Sequence, residues 1–144
     1  MATVERDILI NKPPEQVSAY MDDARRWPEW FAGVQSAEPD AAHPAVGSVV
    51  KVAYKSMGTT FHLTMTTEAY ERGKMADYRL DGMITGVNRF TLLPEGGGTR
   101  VKAYYNYEVP GGGLGKVFDK LVLERANTEN LEKSLATLKA KLEG

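Results

Sequence analysis

Few groups in this 144-residue chain could do chemistry at neutral pH. Cysteine is absent, which removes disulfides, thiolate nucleophiles and cysteine-ligated metals. The two histidines lie far apart, His43 in a proline-containing loop and His62 on the polar row of a strand, so neither is placed for paired acid–base work. A metal would need His, Asp and Glu clustered at short spacing; no such cluster stands in the sequence, and no metal is expected. The run Gly111-Gly112-Gly113-Leu114-Gly115-Lys116 has the look of a phosphate loop. That loop needs glycine at its head and Ser or Thr after the Gly-Lys pair, and here those positions hold Pro110 and Val117. Carboxylate chemistry remains, with Glu124 as the candidate catalytic group. A carboxyl desolvated on a cavity wall has a raised pKa and can move protons near neutral pH. Asn88 and Thr67 stand on strand rows shared with Phe90 and Leu92, and with Leu63 and Met65. They would add an amide and a hydroxyl able to orient a ligand's oxygen atoms.

The elements that must position these groups follow from periodicity and turn signals. Residues 3–10 alternate as a strand with Val4, Ile8 and Ile10 on one side, and Arg6 breaks the row. Lys12-Pro13-Pro14 stops it and opens a helix, where proline's missing N–H costs nothing. Val17, Tyr20, Met21 and Ala24 recur at helical spacing, and a second short helical piece carries Trp27, Trp30 and Phe31 before Gly33. That aromatic cluster reads as packing that anchors two short helices, with a binding box as the other reading. Strands are expected over 34–38, 47–56, 59–69, 74–82, 84–93 and 99–109, separated by breaks such as Met57-Gly58, Asp81-Gly82 and a Gly96-Gly97-Gly98 hairpin loop. Breaks this short favour hairpins, hence an antiparallel sheet.

After Pro110 and glycines 111–113, a helix is expected over about 114–143. At ~1.5 Å per residue it would be ~45 Å long and cross a domain whose radius of gyration is ~14–15 Å. Its heptad rows are Leu114, Leu121, Thr128, Leu135, Leu142 and Val117, Glu124, Leu131, Leu138. The stripe is apolar at both ends and polar in the middle, at Glu124 and Thr128. A helix facing a cavity at its middle accounts for this; so does a solvated stretch with an ion-pair partner for Glu124.

Composition bounds the class. Apolar residues make up 42% and charged residues 26%, and the net charge is −1, as in a globular protein. One domain over 1–144 is expected. No basic excess or stripe points to nucleic acid. No stretch reaches the ~18 apolar residues of a membrane span, and the first residues lack the apolar core of a signal peptide. A cytoplasmic protein is the expectation.

The order strand, two short helices, six antiparallel strands, one long helix resembles the START-like helix-grip domains (SRPBCC). The segment ILINKPPEQVSAYMDDARRWPEWFAGV is similar to the start of the polyketide cyclase/dehydrase and lipid-transport family. The segments GTRVKAYYNYEVPGGGLGKVFDKLV and ENLEKSLATLKAKLE are similar to its end. These motifs, marked by Pro14, Trp30, Gly33, Thr99 and Gly115, are structural. The resemblance implies an α+β fold: a seven-stranded curved antiparallel sheet wrapped around the last helix, with a cavity between them. It brings no shared catalytic set.

Three functions follow as expectations: a carrier or sensor of a lipid, quinone or aromatic metabolite; an aromatase/cyclase using Glu124, Asn88 and Thr67; or a protein-interaction module with a vestigial cavity. The expected partner is a small hydrophobic molecule, with no cofactor. The expected lining is Phe61, Leu63, Met65, Tyr78, Leu80, Phe90, Tyr105 and Tyr107. Phe118 and Leu121 are expected opposite, and Asn88, Glu124 and Thr128 as the polar groups.

Overall fold

The computed structural model describes residues 2–109 and 120–144. Strand β1 (Ala2–Ile10) buries Val4 and Ile10. Arg6, the charge that breaks its row, reaches out instead to Glu132 of the last helix, Nε to Oε2 3.3 Å, with both side chains about half exposed. Pro13 caps helix α1 (Pro14–Met21), whose inner side is Val17, Ser18 and Met21. A single 3-10 turn (Ala24–Arg26) leads into α2 (Trp27–Trp30). Trp27 is 2% exposed, and its indole N–H donates to the Met21 carbonyl at 2.8 Å, tying the two helices together.

Six strands follow: β2 (Val34–Pro39), β3 (Val49–Ser56), β4 (Thr59–Glu71), β5 (Met75–Gly82), β6 (Thr85–Glu95) and β7 (Gly98–Glu108). With β1 they form one seven-stranded sheet in the order β1-β7-β6-β5-β4-β3-β2. Every pairing is antiparallel, as the short breaks predicted. Register shifts at Val34/Ser36 and at Thr67/Ala69 insert bulges, which bend strands and increase their twist. The outer face carries crossed ion pairs: Arg79 between Glu68 and Asp81, Arg89 on Asp77, Arg100 between Asp7 and Glu95. The inner face is apolar, and parity holds along β4, where Phe61, Leu63 and Met65 are buried while His62 is exposed.

Helix α3 (Lys120–Glu143) lies along β1 and over the inner face. Residues 114–119 of the expected helix, with Leu114, Val117 and Phe118, and the glycine turn before them, lie outside the described residues. The buried positions of α3 are Leu123, Asn127, Leu131, Ser134, Leu135 and Leu138. The heptad rows therefore hold at Leu131, Leu135 and Leu138 and slip toward the helix start. There Leu123 and Asn127 turn inward while Glu124 and Thr128 are half-buried on the flank. A strict seven-residue row drifts ~20° per heptad around a straight α-helix. The C-terminal end is clamped: Lys139 donates to the Leu9 carbonyl at 2.7 Å and to Glu143 at 2.6 Å, and Glu143 accepts from the Asn11 N–H at 2.8 Å. Among the described residues no helix is long and apolar enough to cross a membrane.

Candidate functional site

A cavity lies between the inner face of the sheet and the middle of α3, with about 60 Å³ open to the centre of a water molecule. Its apolar wall comes from alternate strand positions: Val34, Val52, Leu63, Met65 and Leu80, with Ile84 from the β5–β6 turn. Phe31 and Ala32, at the end of α2, close one side, and Leu131 faces them from α3. The polar groups are Tyr54, Asn88, Tyr105, Tyr107, Asn127, Asn130 and Ser134.

Most of these polar groups form one network centred on Asn127. Its Oδ1 accepts from the hydroxyls of Tyr54 at 2.9 Å and Ser56 at 3.0 Å, and its Nδ2 donates to the Tyr107 hydroxyl at 3.0 Å. Asn130 donates to the Tyr54 oxygen at 2.9 Å. Ser134 accepts from the Ala32 N–H and donates to the Asn130 carbonyl, both at 2.7 Å. Gly33 makes this possible. Its φ is +92°, and a Cβ there would stand 2.5 Å from the Tyr54 ring and 2.9 Å from the Lys55 carbonyl oxygen. Only glycine lets that ring lie across the turn and send its hydroxyl to α3.

Two polar groups stay outside the network. Asn88 and Tyr105 are directly opposite in the β6–β7 ladder, so their side chains share the inner face. The Tyr105 hydroxyl is buried and has no hydrogen-bond partner among the described residues. Burial, then the nearby Tyr54, pushes its pKa well above the ordinary phenol value. Burial likewise raises Tyr54 and Tyr107, the latter also through the Glu124 charge, while their hydrogen bonds to asparagine act the other way. All three phenols are therefore neutral donors at physiological pH, not bases.

Of the residues singled out in the sequence, Leu63, Met65, Leu80, Asn88, Tyr105 and Tyr107 border this cavity. Tyr78 and Phe90 border a second, smaller one beyond Phe31. Phe61 is fully buried away from both. Thr67 is fully buried in packing, 3.2 Å from the Ser48 hydroxyl. Thr128 turns its hydroxyl back to the Glu124 carbonyl at 2.9 Å, and neither residue borders the cavity, although the Glu124 charge is felt at Tyr107. Leu121 is 73% exposed, and Phe118 lies outside the described residues. His43 stacks on Tyr78 with ring centroids 6.4 Å apart and sits 3.0 Å from the Asp22 carbonyl. Among the described residues no three metal-ligating side chains converge.

The sequence reading missed Asn127, Asn130 and Ser134. A signal was there: these polar residues follow one another at steps of three and four between Leu123 and Leu138, which is the period of a straight helix rather than a coiled one. In the aromatic cluster Trp27 and Trp30 are buried and border the smaller cavity, and Phe31 borders both.

Comparison with known proteins bears on this architecture. A family model described as polyketide cyclase / dehydrase and lipid transport matches residues 1–143. A search of curated proteins found no match. Among solved structures, the protein TTHA0849 from Thermus thermophilus superposes with a TM-score of 0.83 at 23% identity, covering 99% of this chain and 97% of that one. The Zhui aromatase/cyclase from Streptomyces sp. R1128 gives 0.81 at 14% identity, covering 99% and 93%. A START superfamily protein from Mycobacterium smegmatis gives 0.78 at 15% identity, covering 98% and 97%. At such identities the structures show a shared fold.

Proposed function

This chain belongs to the polyketide cyclase/dehydrase and lipid-transport family, and from that premise we propose that it binds a small, mostly apolar molecule carrying an oxygen acceptor. The observation that carries this reading is the Tyr105 hydroxyl, buried against the cavity with no partner among the described residues. Leaving such a group unsatisfied costs about 1–3 kcal/mol, which a ligand oxygen would recover. Asn88, directly opposite, offers both a donor and an acceptor beside it. The remaining wall is aliphatic and aromatic, the usual balance of a ligand site with a few placed polar groups. An apolar cavity of about 150 Å³ takes one benzene ring, so this smaller space admits a ring only as its walls move outward. That suits a compact ring system better than a diacyl lipid.

A cyclase reading has one observation in its favour. A carbonyl held by Tyr105 would be polarised, which acidifies the neighbouring C–H, and the Glu124 carboxylate lies close enough to be felt at Tyr107. Binding is the primary reading because every cavity-lining group described is neutral. The test is titration with naphthol-, quinone- and flavonoid-type compounds, followed through Trp30, whose ring stacks 5.0 Å from the cavity-lining Phe31. Saturable binding is expected, and Tyr105→Phe should weaken oxygen-bearing ligands about 2- to 12-fold, the worth of one hydrogen bond. It should leave the parent hydrocarbons unchanged. Absence of saturable binding by any of them would end this reading.

A further inference from the structure

A second chamber adjoins the first. About 20 Å³ there is open to water centres, and Ser18, Asp22, Trp30, Phe31, Tyr78 and Phe90 are among its lining. Phe31 borders both chambers. Its ring lies between Trp30, stacked at 5.0 Å and 20°, and Phe90, edge-on at 6.0 Å and 90°. The partition between the chambers is thus built around a single side chain.

Two residues that line this chamber carry unspent hydrogen-bonding capacity. Trp30 is 3% exposed, and its indole N–H has no partner among the described residues. The neighbouring Trp27 spends its own on the Met21 carbonyl, so the local fold can satisfy an indole and leaves this one unsatisfied. Asp22 accepts from the hydroxyls of Ser18 at 2.9 Å and Tyr70 at 2.5 Å, both at Oδ2. Among the described residues no hydrogen bond reaches its Oδ1. Oδ1 is therefore free to accept from a ligand donor in exchange for water, and burial raises the Asp22 pKa despite the two donors on Oδ2.

We propose that the ligand site continues past Phe31 into this chamber, where a hydroxyl at the far end of an elongated ligand accepts from Trp30 and donates to Asp22. The chemistry selects the group. A ketone accepts from the indole but gives Asp22 nothing, an ammonium donates but cannot accept, and a carboxylate meets Asp22 as a like charge. An alcohol or phenol does both. The inference rests on the binding reading above and extends it from one polar contact to two, at opposite ends of the molecule.

Three probes separate the claims in calorimetric titration: 2-naphthol, 6-phenyl-2-naphthol and 6-(4-hydroxyphenyl)-2-naphthol. The last two differ by one terminal hydroxyl. That hydroxyl should raise affinity about tenfold, the effect of roughly 1.4 kcal/mol. Asp22→Asn and Trp30→Phe should each erase the increment, read within each variant as the affinity ratio of the two extended probes. In Asp22→Asn the amide oxygen can keep the Ser18 and Tyr70 bonds while the NH2 replaces Oδ1, so the fold keeps its contacts and the acceptor is lost. Phe31→Ala should improve binding of both extended probes relative to 2-naphthol. Equal affinity of the two extended probes in wild type and in Phe31→Ala overturns the second chamber, as does a hydroxyl increment that survives both polar substitutions. In either case 2-naphthol binding still supports the first cavity. Failure of all three probes to bind overturns both.

Discussion

Asn127→Ala removes the hub of the cavity network, and its cost can be worked from the contacts. Three hydroxyls lose their partner. Tyr54 keeps its bond from Asn130, so its loss is about 0.5–1 kcal/mol. Ser56 and Tyr107 are 3% and 5% exposed; Ser56 keeps a hydrogen bond with Tyr54, while Tyr107 has no other among the described residues. Ser56 then loses about 0.5–1 kcal/mol, and Tyr107 carries a desolvation penalty of about 1–2 kcal/mol. The total is about 2–4 kcal/mol. At ~2.1 cal/mol/K per residue the 144-residue chain unfolds with an entropy of ~0.3 kcal/mol/K, so the melting temperature should fall by about 7–13 °C. Equilibrium urea unfolding with an unchanged m-value measures the free energy directly. The control is Tyr107→Phe, which leaves no hydroxyl at that position to strand. Combined with Asn127→Ala, the double variant should be about 1 kcal/mol more stable than the sum of the two losses implies. A loss below about 1 kcal/mol for Asn127→Ala, or strict additivity in the cycle, would refute the network's energetic role.

Two further outcomes follow from the same geometry. Gly86→Ala should prevent or severely weaken folding, by about 3 kcal/mol or more. Gly86 has φ +139°, and a Cβ there would lie 2.7 Å from the Tyr107 Cα and closer still to the Asn106 carbonyl oxygen, forcing β6 from β7 beside the site. A melting temperature within about 3 °C of wild type would contradict this. Asp22 makes a prediction in pH. Its folded pKa is raised, chiefly by burial, so the native state holds the proton more tightly than the unfolded chain. Its contribution to stability therefore falls as pH rises from the ordinary carboxylate range through the folded pKa. The stability of Asp22→Asn relative to wild type should rise with pH across that window, as read by urea unfolding between about pH 3.5 and 7. A relative stability that falls with pH would reverse the assignment.

The layout was legible because its signals are local. Period-two alternation in 59–69 and 99–109, glycine and proline breaks a few residues apart, and Pro14 at a helix start each depend on near neighbours in the chain. Those features set seven antiparallel strands, two short helices and a long terminal one before any tertiary contact was considered. Strand parity also follows from alternation, which is why it assigns Leu63, Met65, Tyr105 and Tyr107 to the inner face, where they border the cavity.

Parity cannot say where along the inner face the protein is solid and where it is hollow. Phe61 and Leu63 share a row two residues apart; one is packed shut and the other borders the cavity. That depends on what α3 and Phe31 place opposite each of them. The helix shows the same division. Its existence and its C-terminal seam at Leu131, Leu135 and Leu138 are written in the sequence. The inward turn of Asn127 in place of Glu124 depends on how a straight 3.6-residue helix lies across a curved sheet. Asn127 became a hub only because Gly33 lets the Tyr54 ring cross the turn, and because β3 and β7 bring Ser56 and Tyr107 to the same point. Sequence determines which side chains face inward; the docking of helix on sheet decides which of them meet, and which, like the Tyr105 hydroxyl, are left without a partner among the described residues.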